Sequence, residues 1–407
     1  MISTLVPNRP VRAASWLRAL LAFVMLQLLV TGCATPERLP AVPTASTIQA
    51  DTGMGPIRFF VRRDVSGFEA EAKQSLAREL AYRASMGQHG PLPPAYFLAI
   101  SGGGDNGAFG AGLLNGWSAA GTRPEFKAVT GISTGALIAP FAFLGPKYDP
   151  VLEKVYTQVS QRDIFKMRGM IKGFFSDAMA DTTPLYELVT RYADQALLDA
   201  IAAEYEKGRL LLVGTTALDS LEPVIWNMTA IAASKDPRAP ELFRRILVAS
   251  ASIPGAFPPM MLDVTAGGQR YQEMHVDGGT IAQVFLYPPS MHLDQAGASA
   301  GRKRILYIIR NARLDPDWAS VDRRTLPVAT RAISALTQTQ GIGDLYRIYT
   351  TTRRDGIDYN LAFIPPTFTV PHREEFDTNY MQQLYAVGQQ MAAKGYQWQK
   401  FPPGYSE

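Results

Sequence analysis

The stretch Phe126-Lys-Ala-Val-Thr-Gly-Ile-Ser-Thr-Gly-Ala-Leu-Ile-Ala-Pro-Phe-Ala-Phe-Leu144 decides the fold. Phe126 to Thr130 reads as a short buried strand, and the uncharged run Thr134 to Leu144 reads as a helix. Between them stands Gly131-Ile132-Ser133-Thr134-Gly135. A Gly-x-Ser-x-Gly turn from strand to helix makes a nucleophile elbow. Gly131 and Gly135 carry no Cβ to clash, so a tight turn can present the Ser133 hydroxyl above the sheet edge. The pentapeptide alone is a weak signal, and its strand-turn-helix setting gives it weight.

A second glycine-rich turn lies upstream, Ser101-Gly102-Gly103-Gly104-Asp105-Asn106-Gly107, directly after the apolar run Tyr96–Ile100. Gly102, Gly103 and Gly104 leave backbone N–H groups unshielded just before a helix, a setting that favours negative charge. A phosphate cradle is one reading, but no Gly-Lys-Ser/Thr follows and no acidic ribose partner stands where one is expected. An oxyanion hole for a tetrahedral acyl intermediate is the other, and the nearby elbow favours it. Gly107, Gly110 and Gly112 read as sites of close helix packing.

A serine nucleophile needs a base. Asp277-Gly278-Gly279 follows the apparent strand Met274–Val276, and a carboxylate there, with two glycines after it, can approach another loop closely. A lone Asp-Gly is more often only a turn. His275 is the rival base, sharing a strand face with Asp277, but it reads better as a hydrogen-bonded, half-buried histidine. His372, in a proline-containing loop, is a weaker candidate.

Further apparent strands are Leu210–Val213, Val224–Trp226 and Arg304–Ile309. Helical patterns occupy Ala108–Ala120, Leu185–Lys207, Pro240–Ser252, Ala329–Thr351 and Phe376–Lys394, with Leu113, Leu114 and Trp117 as core. Ser66-Gly-Phe-Glu69 has capping-box spacing and opens a helix to about Ala84. Strands alternating with helices imply an α/β fold with a mainly parallel sheet covered on both faces.

Four motifs now stand in order: the glycine turn at 102–107, the elbow at 131–135, Val248-Ala-Ser-Ala-Ser-Ile-Pro-Gly-Ala-Phe-Pro-Pro259, and Asp277-Gly278-Gly279. Together, over about residues 95–290, they resemble the patatin-like phospholipases. The resemblance implies a three-layer α/β/α sandwich and a Ser–Asp dyad, with Ser133 as nucleophile and Asp277 as its proton acceptor. It implies an oxyanion hole from the amides of Gly103 and Gly104, with Gly102 a third candidate, and no metal or cofactor. The substrate it implies is a lipid or phospholipid acyl ester. Acyl transfer to another acceptor on the same site is an alternative, as is a non-catalytic lipid-binding envelope protein. Two positions depart from the family pattern: Ser101 stands where an aspartate is usual, and Asn106 where Arg or Lys is usual.

Composition narrows the classes. The 407 residues are 47% hydrophobic and 19% charged, which is globular rather than disordered or collagen-like. One cysteine excludes a disulfide framework and a Cys-rich zinc site. Of the net charge of +4, three units come from Arg9, Arg12 and Arg18, so the body is close to neutral and offers no electrostatic case for nucleic acid.

Those arginines precede the uncharged run Ala19–Gly32, which is shorter than the ~20 residues a spanning helix needs. Thr31 and Gly32 then lead into Cys33. The pattern resembles the lipobox of bacterial lipoproteins. It implies a signal peptide over 1–32, acylation of Cys33, and anchoring in the cell envelope, with Ala34 favouring the outer membrane. Residues 33–56 read as a flexible tether and 57–407 as one catalytic domain with a C-terminal helical extension. Phe165, Met167, Met170, Ile171, Phe174 and Phe175, mixed with Lys166, Arg168 and Lys172, fit either a lipid-facing lid or a buried amphipathic helix.

Overall fold

The computed structural model describes residues 36–169, 176–293, 301–316 and 318–405. In chain order its elements are β1 (Arg58–Phe59), α1 (Ser66–Ser85), β2 (Ala95–Ile100), α2 (Gly107–Ala119), β3 (Ala128–Ile132), α3 (Thr134–Leu144) and α4 (Asp149–Gln158). Next come β4 (Lys166–Met167), β5 (Ala180–Asp181), α5 (Thr183–Tyr192), α6 (Gln195–Glu206), β6 (Leu210–Ala217), β7 (Glu222–Asn227), α7 (Met228–Ala233) and α8 (Ala239–Ser250). The chain continues through β8 (Met260–Ala266), β9 (Gln269–Asp277), β10 (Arg304–Arg310), α9 (Thr325–Arg354), β11 (Ile357–Phe363) and α10 (Thr378–Ala393).

The main sheet runs β1-β7-β6-β3-β2-β10-β11, with β9 and β8 joined to it through β6. β6, β3, β2, β10 and β11 are parallel, whereas β7, β1, β9 and β8 are antiparallel to their neighbours. Alternation along the strands assigns the helices to faces. Leu98, Ile100 and Ile309 join the cluster of Phe109, Leu113 and Tyr385, beneath α2 and α10. Ala99, Leu306 and Ile308 point the other way, to Leu345 and Ile348 of α9. On that second face Leu210 and Leu212 meet Phe68 of α1. The result is the expected three-layer α/β/α arrangement around a mainly parallel sheet.

Glycines set the closest packing. A Cβ at Gly112 or Gly116 would lie 2.0 or 2.1 Å from the carbonyl oxygen of Tyr385 or Gln389, so α2 and α10 touch backbone to backbone. Gly107 and Gly110 meet other partners, the side chains of Thr134 and Asn311.

Several boundaries differ from the sequence reading. β3 starts two residues later than expected, so Gly131 and Ile132 belong to the strand. The long helix expected over 185–207 is two, because Asp194 accepts from Leu197 N (2.9 Å) and starts a new one. The Ser66 capping box does not form. Ser66 is itself the first helical residue, and its N–H donates to Asp64 Oδ1 (2.9 Å). The strand expected at 274–276 is the end of a long β8–β9 hairpin. The described part of the expected tether is docked rather than free. Arg38 pairs with Asp219 (2.7 Å), Asp51 bridges to Thr265, and Ala50 is buried with Val264 and Ala266. Cys33 and the apolar run before it lie outside the described residues.

Candidate active site

The site is assembled along one edge of β6. Leu210 to Gly214 of that strand pair with β3, running parallel, and Thr215 to Ala217 pair with β9, running antiparallel. β7 occupies the other edge over Leu212–Ala217. β3 and β9 therefore share an edge and meet end to end. β3 finishes at Ile132, opposite Gly214, and β9 finishes at Asp277, opposite Thr215. The residue after Ile132 is Ser133, so the register brings Ser133 and Asp277 together. Gly278 makes the junction possible, since a Cβ there would lie 2.5 Å from Gly214 O and 3.2 Å from Ile132 Cγ2.

Ser133 is almost buried and has φ 55° and ψ −127°, a left-handed conformation that costs a non-glycine residue about 1–3 kcal/mol. The surroundings enforce it. A Cβ at Gly131 would sit 2.4 Å from Gly135 O, and one at Gly135 would sit 2.3 Å from Ile100 O, at the root of the glycine loop. Ser133 N–H donates to Ser250 Oγ (3.0 Å), which itself donates to Gly214 O (2.7 Å). Ser250 lies in the 248–259 motif, which was singled out without a role for this side chain. Its position at the end of α8 makes it the brace of the elbow. The N-terminus of α3 directly follows Ser133 and favours negative charge there.

Asp277 is buried, and that burial pushes its carboxyl up to about 6. Two interactions oppose the rise without cancelling it, a hydrogen bond with the Ser133 side chain and the N–H of Gly279, which donates to Asp277 Oδ1 at 2.7 Å. The carboxylate is thus a far stronger base than an exposed aspartate and already interacts with the serine. A Cβ at Gly279 would lie 2.9 Å from Gln283 Nε2 and 3.0 Å from Asp277 Oδ1.

His275 is engaged elsewhere. Its Nδ1 lies 2.9 Å from Thr215 Oγ1 and its Nε2 3.1 Å from Glu273 Oε2. Trp226 Nε1 donates to the same Thr215 oxygen (2.8 Å), and Arg58 pairs with Glu273. With both nitrogens held in a buried network, His275 is structural.

The glycine loop lies against the elbow, since a Cβ on Gly102 would be 3.1 Å from Ser133 Cβ. Its donor set is smaller than the sequence implied. Gly102 N–H donates to Gln283 O (3.0 Å), which removes it as an oxyanion donor. Among the described residues no partner occupies the N–H of Gly103 or Gly104. A Cβ on Gly103 would strike Asn311 O at 2.2 Å, and Gly104 has φ +58°, so each position requires glycine.

Asn311, at the end of β10, holds this loop from behind. Its Nδ2 donates to Ser101 O (2.9 Å), its Oδ1 accepts from Gly110 N (3.1 Å), and its N–H donates to Ser101 Oγ (2.8 Å). Ser101 therefore has a structural task, with its hydroxyl also donating to Gly102 O (2.7 Å). Asn106 accepts from Tyr380 OH (2.6 Å) and brings no cation to the loop. Asp105 is buried and ties the loop to the C-terminal segment, accepting from Phe376 N (2.9 Å) and lying 2.6 Å from His372 Nε2. That carboxylate raises the His372 pKa. Asp105, His372 and Glu375 bring their donor atoms within 4.8 Å of one another, the closest approach to a metal-ligand cluster among the described residues.

An apolar cavity of about 70 Å³ begins beside the elbow, lined by Thr134, Leu137, Tyr156, Leu188, Phe376 and Met381 among others. Thr134 follows Ser133, and its hydroxyl lies 2.5 Å from Tyr156 OH at the cavity wall. Of the suspected lid, Phe165 is buried against Phe257 and Phe376, and Met167 is exposed. Met170, Ile171, Lys172, Phe174 and Phe175 lie outside the described residues.

Residues 98–288 match the model of the family described as Patatin-like phospholipase. Among solved structures, VipD from Legionella pneumophila is similar at 12% identity, over 75% of this chain and 67% of that one, with a TM-score of 0.32. No curated protein sequence matches the chain. The stretch 98–288, the part that matches this family's model, holds the glycine loop, the elbow and the Asp-Gly-Gly turn.

Proposed function

We propose that this chain is a serine acyl hydrolase acting on lipid acyl esters, with Ser133 as nucleophile and Asp277 as its base. The observation that carries the reading is the end-to-end meeting of β3 and β9, which pairs a strained serine with a buried carboxylate of raised pKa. Ser133 Oγ attacks the ester carbonyl and its proton passes to Asp277. The N–H groups of Gly103 and Gly104 receive the oxyanion. The alcohol leaves with a proton from Asp277, and water, deprotonated by the same carboxylate, then releases the fatty acid and regenerates the serine. The apolar cavity beginning at Thr134 suits the acyl chain. At about 70 Å³ it accepts only part of a long chain.

Phospholipid vesicles incubated with the full chain test the reading. Free fatty acid and lysophospholipid are the expected products, absent with Ser133→Ala. Acylated acceptor lipid without free fatty acid would assign transfer instead of hydrolysis, and no turnover by a folded protein would leave the non-catalytic reading. Anchoring through an acylated Cys33 in the bacterial envelope belongs to the same proposal. It predicts incorporation of labelled fatty acid that Cys33→Ser abolishes.

A further inference from the structure

The first half of α9 is built inside out. Burial along this 30-residue helix begins only at Gly341, and from there Asp344, Leu345 and Ile348 seat it on the sheet. From Thr325 to Gln340 no residue is buried. The half-buried positions on this arm are Pro327, Arg331, Thr337, Gln338 and Gln340, and Gln338 Nε2 donates to Asp315 O (2.9 Å). The large apolar residues face away from the protein: Leu326 is 75% exposed, Val328 52%, Ile333 63% and Leu336 70%. At 100° per residue these four, with Ala329, Ala332 and Ala335, fill one half of the helix circumference. Trp318, 86% exposed, precedes the helix. A contiguous apolar face turned to water marks an interaction surface.

Its charge and its place in the fold say what covers it. Arg323 and Arg324 stand exposed at the start of this arm, Arg324 beside its partner Asp322 (2.7 Å), and no Asp or Glu occurs between Asp322 and Asp344. Apolar residues with arginines and an adjacent tryptophan match the interface of an anionic bilayer. Among the described residues no helix is long and apolar enough to cross a membrane, so such a helix would lie on the surface.

The arm ends beside the candidate site. Gln340 Oε1 accepts from Gln283 Nε2 (3.3 Å), the same group that donates to Gly279 O (2.7 Å), two residues from Asp277. Asp344 accepts from Gln283 N (2.6 Å), and Gln283 O is what occupies the Gly102 N–H. We infer that the outward face of α9, from Leu326 to Leu336, docks the protein on an anionic lipid bilayer and so sets the active-site mouth at the lipid surface. The docking surface rests on the lipid-hydrolase reading only for its purpose, not for its existence.

The test uses the full chain with Cys33→Ser, which leaves no native thiol, and one new cysteine carrying a polarity-sensitive fluorophore. With Ile333→Cys, vesicles of phosphatidylglycerol and phosphatidylcholine should blue-shift the emission, and a nitroxide-labelled lipid should quench it. Pure phosphatidylcholine should do so more weakly, and a label at Ser334→Cys, on the polar side, should be little quenched. No shift, equal quenching of both labels, or a shift on concentrating the protein without lipid (a second copy on the face) would overturn the inference. Losing two buried aliphatic anchors from such a contact lowers binding by about tenfold or more. Ile333→Ser with Leu336→Ser should therefore reduce vesicle hydrolysis about tenfold, with the rate on a water-soluble ester within about twofold of the parent. Equal loss on both substrates would refute docking. Should the parent hydrolyse neither substrate, the hydrolase reading fails while the fluorescence result still decides the surface.

Discussion

Asp277→Asn separates the catalytic demand on this carboxylate from its structural cost. Burial raises the carboxyl from 3.8 to about 6. That is about two pKa units, or about 3 kcal/mol against the ionised form in the folded state. A raised carboxyl pKa means that the folded protein holds the proton more tightly than the unfolded chain. The penalty is therefore absent below about pH 4, grows as pH rises, and is complete above about pH 6. Asparagine has the same shape, its Oδ1 can still accept from Gly279 N–H, and it carries no charge. Urea unfolding at pH 8 should show the variant more stable than the parent by up to about 3 kcal/mol, with the advantage shrinking to near zero by pH 4. Turnover should be lost at every pH. In the parent, kcat/KM should fall on the acid side with an apparent pKa of about 6. An asparagine variant that is less stable at pH 8, or equally favoured at pH 4 and pH 8, would refute the burial argument. One that retains activity would refute the base assignment.

Other substitutions probe the supports. Ser250→Ala removes the acceptor of the buried Ser133 N–H and should cost about 1–3 kcal/mol in urea unfolding, with kcat reduced more than KM is raised. Gly103→Ala drives a Cβ into Asn311 O and should lower kcat by roughly 10²–10³-fold through displacement of the oxyanion donors, leaving the far-UV spectrum unchanged. His275→Ala leaves Thr215 and Glu273 around a void and should lower the unfolding midpoint while the folded fraction keeps its activity. Complete loss of activity in a fully folded His275→Ala protein would restore a histidine base.

The alternation of strands and helices was enough to read the layered fold, whereas Asp277 was paired with Ser133 only through the resemblance of the ordered motifs to a known family, because a lone Asp-Gly reads as a turn. What escaped the reading depends on contacts distant in sequence. Gly102, Gly103 and Gly104 look equivalent in a run of three, and only the approach of Gln283 O removes the first from the donor set. Asn311 and Ser250 are ordinary polar residues in sequence, and their roles follow from where β10 and α8 end. In sequence β9 reads as only the three residues Met274 to Val276, because the polar positions among Gln269 to Glu273 hide its start, and β8 goes unread. Residues 36–56 looked like a tether for want of apolar anchors, yet the Arg38–Asp219 pair, backbone bonds at Pro40 and Asp51, and the burial of Ala50 hold them to the body. The helix break at Asp194 was signalled by that aspartate, a preferred N-cap residue, and could have been read.

The central claim is that Ser133 is an activated nucleophile, and covalent labelling tests it most directly. The full chain is exposed to a fluorophosphonate probe with and without detergent micelles, and the modified residue is identified by mass spectrometry, with Ser133→Ala as control. The account predicts labelling confined to Ser133 and abolished in the variant. A folded protein that takes no label under either condition, or takes it at another residue, would contradict the account.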